Sequence, residues 1–149
     1  MGVYPSEFAS GSFRVIVASE YLLVEGYSMS TIADTAKVLD NALVMEEAKV
    51  YGNAQVGGYA LVSGKAAVYD VAHVYGSAHV QGSAHVQGSA HVHGNAKVYG
   101  WAEVRGIARI KGNAMVEGYA WVYGSAHLEG DVTISSGKIK DVHWWRDVP

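Results

Sequence analysis

The sequence predicts an all-β solenoid, because a pattern of six residues repeats along most of the chain. From Ala48 to Gly130 the sequence reads A-x-V-x-G-x with few exceptions. Counted in steps of six from Ile32 to Ile134, the aliphatic position occurs 18 times. The 18 glycines against 2 prolines also indicate regularly spaced turns. Because a unit this short cannot bury its own apolar face, the units must stack on one another.

Each six-residue unit predicts one short strand and one corner. The small residue and the aliphatic residue are two positions apart, so both side chains point to the inside of the strand. The residues on either side of the aliphatic residue point outward. The glycine that follows supplies a corner, because it adopts positive φ without steric cost.

This repeat resembles that of the hexapeptide-repeat family, whose members form a left-handed parallel β-helix with 18 residues in each triangular coil. The resemblance covers residues 30–135 and implies six coils. It is strongest to the A-x-V-x-G repeat proteins of bacteria and prophages. The left hand comes from the resemblance alone, since the general rule for parallel crossovers favours the right hand. The resemblance also implies a homotrimer with ligand sites in clefts between neighbouring subunits.

The two ends of the chain depart from the repeat and predict caps. Open coil ends expose unpaired backbone groups, which solenoids must cover. Residues 1–29 contain the apolar runs 13–17 and 21–24 and are predicted to form an N-terminal cap. Residues 136–149 form an aromatic tail, which is either a second cap or an arm that reaches a neighbouring subunit.

Composition excludes several classes of partner and cofactor. The formal net charge of −3 provides no basic surface for a long nucleic acid. The absence of cysteine excludes disulfides, a thiolate nucleophile and a Cys-ligated zinc, and it fits a cytoplasmic location in a bacterium or a phage-infected cell. No apolar run is long enough to span a bilayer, so no membrane partner is expected. No cofactor is expected either.

Stacking with a period of 18 predicts one outward face that is more basic and polar than the others. Its candidate ligand-binding residues are His73, His91, His93, Arg109, Lys111 and His127. Cationic and imidazole N–H groups within about 10 Å of one another are suitable donors to a phosphate. Aromatic candidates for stacking on a base are Tyr51 and Tyr69 on an adjoining face and Trp144 and Trp145 in the tail.

These features favour non-catalytic binding of a small anionic, nucleotide-like ligand in clefts between subunits. Sequestration of a host signalling nucleotide by a phage-encoded protein is one hypothesis within that prediction. A solvated charge ladder explains the same residues without any ligand. A second alternative is a structural or protein-binding scaffold that uses the apolar patch of Leu43, Met45 and Leu61.

Two catalytic alternatives find less support in the sequence. His91 and His127 are 36 residues apart, as are two metal-binding histidines in hexapeptide-repeat carbonic anhydrases. The third histidine of that pattern is missing after His127, so no metal site is expected. The resemblance also includes acyltransferases, but no loop interrupts the repeat and no carboxylate is evident beside a ladder histidine. No catalytic residue is therefore assigned.

Overall fold

A computed structural model describes residues 30–146, and every strand that the repeat predicts is present. The predicted N-terminal cap, residues 1–29, lies outside the described residues. The strands are β1 Thr31–Ile32, β2 Lys37–Val38, β3 Leu43–Val44, β4 Lys49–Val50, β5 Gln55–Val56, β6 Leu61–Val62, β7 Ala67–Val68, β8 His73–Val74, β9 His79–Val80, β10 His85–Val86, β11 His91–Val92, β12 Lys97–Val98, β13 Glu103–Val104, β14 Arg109–Ile110, β15 Met115–Val116, β16 Trp121–Tyr123, β17 His127–Gly130, β18 Thr133–Ile134, β19 Lys138–Lys140 and β20 His143–Arg146.

The strands form three parallel sheets, each built from every third strand. Sheet A has the order β1-β4-β7-β10-β13-β16-β19, and sheet B has the order β2-β5-β8-β11-β14-β17-β20. Sheet C contains six strands, in the order β3-β6-β9-β12-β15-β18. The predicted parallel β-helix is therefore confirmed, while its left hand stays a prediction.

Residues 18 apart pair in all three sheets from β1 to β18. His91 pairs with Arg109 and Val92 with Ile110, and each sheet keeps this register. Backbone hydrogen bonds join the coils, as where the His91 N–H donates to the Ala108 carbonyl at 2.9 Å. The outward ladders read from the sequence are therefore confirmed as columns of the fold.

The core is a continuous column of aliphatic and small side chains along the axis. Each aliphatic residue at the inward position, from Val44 to Leu128, has no solvent-exposed surface. The alanines two positions before them, from Ala48 to Ala126, are buried as well. Burial of one Val-sized side chain contributes about 1.5–3 kcal/mol, so the coils stabilise one another through this column.

Four carboxylates at coil corners explain why some corners lack glycine. Asp40, Glu46, Asp70 and Asp141 have φ of 60°, 61°, 62° and 53°, the left-handed region that glycine otherwise occupies. The Glu46 carboxylate accepts a hydrogen bond from the Gly64 N–H. The Gly88 N–H donates to Asp70 Oδ2 at 3.0 Å, and the Ser125 N–H donates to Asp141 Oδ1 at 2.8 Å. Asp40 makes the equivalent contact with the next coil. Each carboxylate thus satisfies a backbone donor that a glycine cannot reach.

The strands continue beyond residue 135, where the sequence pattern ends, but with a shortened register. Trp121 pairs with Lys138, and Leu128 pairs with Trp144. Both partners come earlier in the chain than the period of the repeat requires. Trp144 therefore takes the position in sheet B that follows the inward Leu128, and 46% of its surface is exposed.

Substitution of corner glycines tests the close approach of successive coils. A Cβ on Gly106, which has φ +73°, would lie 2.8 Å from the Gly124 carbonyl oxygen, whereas a Cβ on Gly137, with φ +87°, meets nothing within 4 Å. We expect Gly106→Ala to lower the free energy of unfolding by about 2–4 kcal/mol and Gly137→Ala by about 1 kcal/mol, measured by urea denaturation. Gly106→Asn tolerates the backbone angle but retains the collision, so it should also destabilise. Equal losses for both alanine variants would contradict the packing argument.

Candidate functional site

Sheet B brings the predicted polar residues together in two adjacent outward columns. The first, here called the histidine column, consists of His73, His91, Arg109, His127 and His143. The second, here called the lysine column, consists of Tyr75, His93, Lys111 and Glu129, each two residues after a member of the first. The structure therefore places six of the predicted ligand-binding residues on one face.

Two imidazoles of the histidine column are stacked. The rings of His73 and His91 are parallel within 4°, and their centroids are 4.8 Å apart. This contact follows directly from the register, since the two residues are paired across β8 and β11. Stacked imidazoles disfavour simultaneous protonation, because the two positive charges would repel each other.

Arg109 is the exposed cation at the centre of the face. It pairs with His91 on one side and with His127 on the other. Within residues 30–146, its guanidinium has no ion-pair partner and no side-chain hydrogen bond. Lys111 differs, because its Nζ lies 2.9 Å from Glu129 Oε2. The donors of Arg109 are therefore available to a ligand.

The electrostatic environment of this face disfavours further positive charge. Burial lowers the pKa of His91 below its usual value, and the positive charges of His73 and Arg109 lower it further. Burial likewise lowers the pKa of His93, with Lys111 and Arg109 adding to the effect. The contribution of the neighbouring positive charges, though smaller than that of burial, indicates a positive potential that favours a bound anion.

His127 has a carboxylate beside it that the sequence did not reveal. Burial and Lys111 lower the pKa of His127, while Glu129 opposes that shift. His127 Nε2 is buried without a hydrogen-bond partner, and Glu129 Oε2 lies 3.7 Å from it. Because the same oxygen is closer to Lys111, Glu129 mainly neutralises that lysine.

Two further residues of this face were missed by the sequence reasoning. His143 lies 6.0 Å, centroid to centroid, from His127 in an edge-to-face arrangement. A strict period of 18 does not place His143 there, because the tail pairs with a shortened register. The Tyr75 hydroxyl donates to Gln55 Oε1 at 2.6 Å, and its ring occupies the space a side chain at Gly57 would fill. The sequence signal for this contact was the glycine at outward position 57, which leaves room for the Tyr75 ring.

Of the predicted aromatic residues, the two tyrosines lie apart from the histidine column, whereas Trp144 and Trp145 follow His143 in β20 of sheet B. Tyr51 and Tyr69 are on sheet A, where their rings stack at 4.9 Å between centroids and within 4° of parallel. Burial raises the pKa of both hydroxyls. Trp144 pairs with Leu128 of β17, and the Trp145 side chain lies outside the described part of the structure. One subunit therefore does not bring Tyr51, Tyr69 and Arg109 to a single point.

Exposed apolar side chains mark two further surfaces. Leu43, Met45 and Leu61 are half-buried on sheet C, and Tyr59, at the neighbouring corner, is 70% exposed. Another corner carries Trp101 and Tyr119, which are 62% and 73% exposed.

Neither a metal cluster nor a membrane-spanning element occurs in the part of the chain that the structure covers. No three His, Asp or Glu side chains between residues 30 and 146 are placed to hold one metal ion. No helix in that range is long and apolar enough to cross a membrane.

Comparison with known proteins finds likeness only to solved structures. No family model and no curated protein matches the chain. The acetyltransferase domain of PglB from Neisseria gonorrhoeae in complex with acetyl coenzyme A is 17% identical, with a TM-score of 0.49 over 75% of this chain and 48% of that one. A variant of perosamine N-acetyltransferase from Caulobacter crescentus in complex with CoA and GDP-perosamine is 13% identical, with a TM-score of 0.37 over 76% and 49%. This chain spans about half the length of each.

The lowered histidine pKa values predict a stability that depends on pH. His91, His93 and His127 bind protons less tightly in the folded chain than in the unfolded chain, where the value is 6.5. Their contribution to stability is therefore complete above pH 6.5 and decreases as the pH falls through the lowered folded values. We expect the Tm, followed by circular dichroism, to decrease between about pH 7.5 and about pH 5.5. The decrease should be smaller in the His91→Gln/His93→Gln variant, and identical pH profiles would contradict the interpretation.

Proposed function

We propose that this chain is a non-catalytic binding protein for a small anionic, nucleotide-like ligand, held by sheet B in a cleft between subunits. Arg109 is the observation that carries the proposal. Its guanidinium is exposed and has no ion-pair partner among residues 30–146, and it lies between His91 and His127. A free guanidinium presents a fork of N–H donors that matches the geometry of a phosphate.

The neighbours of Arg109 support an anion rather than a neutral ligand. Lys111 and the imidazoles of His91, His93 and His127 surround it, and Glu129 is the one carboxylate of the two columns within the described residues. An anion would favour protonation of the imidazoles, because it offsets the charges that now lower their pKa. Binding should therefore take up protons and strengthen as the pH falls.

A second copy of the chain would supply the stacked tyrosine rings that sheet B lacks. Sheet B presents its donors on one side only, and the stacked Tyr51 and Tyr69 belong to sheet A. A cleft in which sheet B of one subunit faces aromatic rings of another would surround a nucleotide on both sides. We therefore place the ligand in a homotrimer, and sequestration of a host signalling nucleotide in a phage-infected cell is the biological role that this assembly fits.

Substitution of Arg109 tests this function. We expect Arg109→Gln to weaken binding of the tightest ligand, from a panel of nucleoside monophosphates and cyclic nucleotides, by about tenfold in isothermal titration calorimetry, because a charge-assisted hydrogen bond is lost. Arg109→Lys should retain part of the affinity. Lys97→Gln on sheet C is the matched control and should bind normally.

Two results of the same titrations would contradict the proposal. Unchanged affinity in Arg109→Gln would exclude this site. Failure of the wild-type chain to bind any member of the panel would exclude the function and favour a scaffold.

A scaffold is the second candidate, and the exposed apolar surface supports it. Leu43, Met45 and Leu61 form a patch on the first two coils of sheet C, beside the exposed Tyr59. Contiguous apolar surface of this kind is typical of protein interfaces. This function requires no small ligand, so the calorimetric panel separates it from the first.

An acyltransferase is the third candidate, and His127 beside Glu129 is the observation that favours it. A histidine with a nearby carboxylate resembles the arrangement of a general base. Uninterrupted repeats from β1 to β18 leave no projecting loop to complete such a site. This candidate requires measurable affinity for coenzyme A and a loss of turnover in His127→Gln.

A further inference from the structure

At the last three strands of sheet A, β13, β16 and β19, cationic side chains lie against aromatic rings. Arg105 Cζ lies 5.5 Å from the ring centroid of Trp121 and 5.2 Å from that of Tyr123. Lys138 Nζ lies 4.9 Å from the Trp121 centroid. Lys140 pairs with Tyr123 on the adjoining strand, and its side chain is 60% exposed. One face therefore carries three cations around two rings.

These contacts orient the cations without using their hydrogen-bond donors. A cation over a ring is attracted by the ring face, which leaves its N–H groups free. Between residues 30 and 146, neither Arg105 nor Lys138 makes a side-chain hydrogen bond. Glu103 Oε1 lies 3.6 Å from the Arg105 guanidinium, but it accepts a hydrogen bond from Gln87 Nε2 at 2.9 Å.

The other nearby carboxylate pairs with Lys140. Asp141 Oδ2 lies 3.7 Å from Lys140 Nζ, and Asp141 Oδ1 accepts the Ser125 N–H at 2.8 Å. The ion pairs of Arg105 with Glu103 and of Lys140 with Asp141 leave one net positive charge on this face, and Lys138 has no ion-pair partner among residues 30–146.

The spacing of the cations selects the class of ligand. Arg105 and Lys138 lie 5.5 Å and 4.9 Å from one ring centroid, so the distance between their charged groups cannot exceed the sum of these two. A ligand must place at least two negative charges within that span to contact both. A short polyphosphate chain places more than two charges there, whereas carboxylates along one face of an extended peptide, about 7 Å apart, place at most two. The higher charge density and the match of a guanidinium to phosphate favour the polyphosphate.

We propose that Arg105, Lys138 and Lys140 form a second anion site, on sheet A, that binds a short polyphosphate chain. Trp121 and Tyr123 position the cations and do not stack on a base, because the cations lie against their rings. This site is distinct from the one on sheet B and does not rest on the function proposed for Arg109. Its ligand is the phosphate chain itself, and no base is required.

Titration of inorganic tripolyphosphate into the wild-type chain, by isothermal titration calorimetry, tests the proposal. We expect Arg105→Gln and Lys138→Gln each to weaken binding by about tenfold, since each removes a charge-assisted contact. Lys97→Gln, on sheet C, is the matched control and should bind normally, and Arg109→Gln is measured beside it to report any binding on sheet B. Trp121→Ala should weaken binding, because the ring that positions the cations is lost. Trp121→Phe, which keeps an aromatic ring, should bind as the wild-type chain does and have the same Tm.

Four other outcomes would contradict the proposal. An effect of Arg109→Gln without an effect of Arg105→Gln would move polyphosphate binding to sheet B and leave the function proposed there intact. Equal losses in all the arginine and lysine variants would indicate attraction to net charge alone. Tighter binding of oligoglutamate than of tripolyphosphate would reject the ligand class, and no binding of tripolyphosphate would reject the site.

Discussion

The rest of the structure depends on one constraint, the hydrogen bonding between successive coils. This bonding keeps equivalent residues of the repeat in a constant register. It is possible because the corner residues adopt positive φ and contain almost no side-chain volume. Gly106 shows why, since even a single added carbon would collide with the carbonyl of Gly124. Where an acid replaces glycine, as at Asp70, its carboxylate adds a hydrogen bond between coils. The core of valines and alanines then stacks in line without further adjustment.

The same register turns similar residues into neighbours. His73 and His91 stack because they occupy equivalent positions in adjacent coils, and Arg109 follows them in the next. Titratable and cationic groups therefore accumulate in columns, where burial lowers the pKa values of His91 and His93 and the neighbouring positive charges lower them further. On sheet A the register instead places Trp121 beside Lys138, and a different kind of cationic surface results.

The sequence predicts the fold and the columns well, because the period of six indicates a solenoid and the resemblance to hexapeptide-repeat proteins implies the coil of 18 residues. It does not predict contacts in the tail, where the period changes, or contacts in which a side chain extends toward a neighbouring coil. His143 joins the histidine column only because the register shortens in the tail, where it pairs with His127. Arg105 leans onto the rings of the next coil, a contact that depends on rotamers rather than spacing. The proximity of Glu129 to both Lys111 and His127 is of the same kind.

The central functional claim is that subunits assemble so that sheet B encloses an anionic ligand. Native mass spectrometry of the freshly purified protein tests it most directly, because one spectrum reports the number of subunits and any retained small molecule. The account predicts a trimer that carries additional mass of nucleotide size. A bare monomer would contradict it, since neither the cleft nor its ligand would then be present.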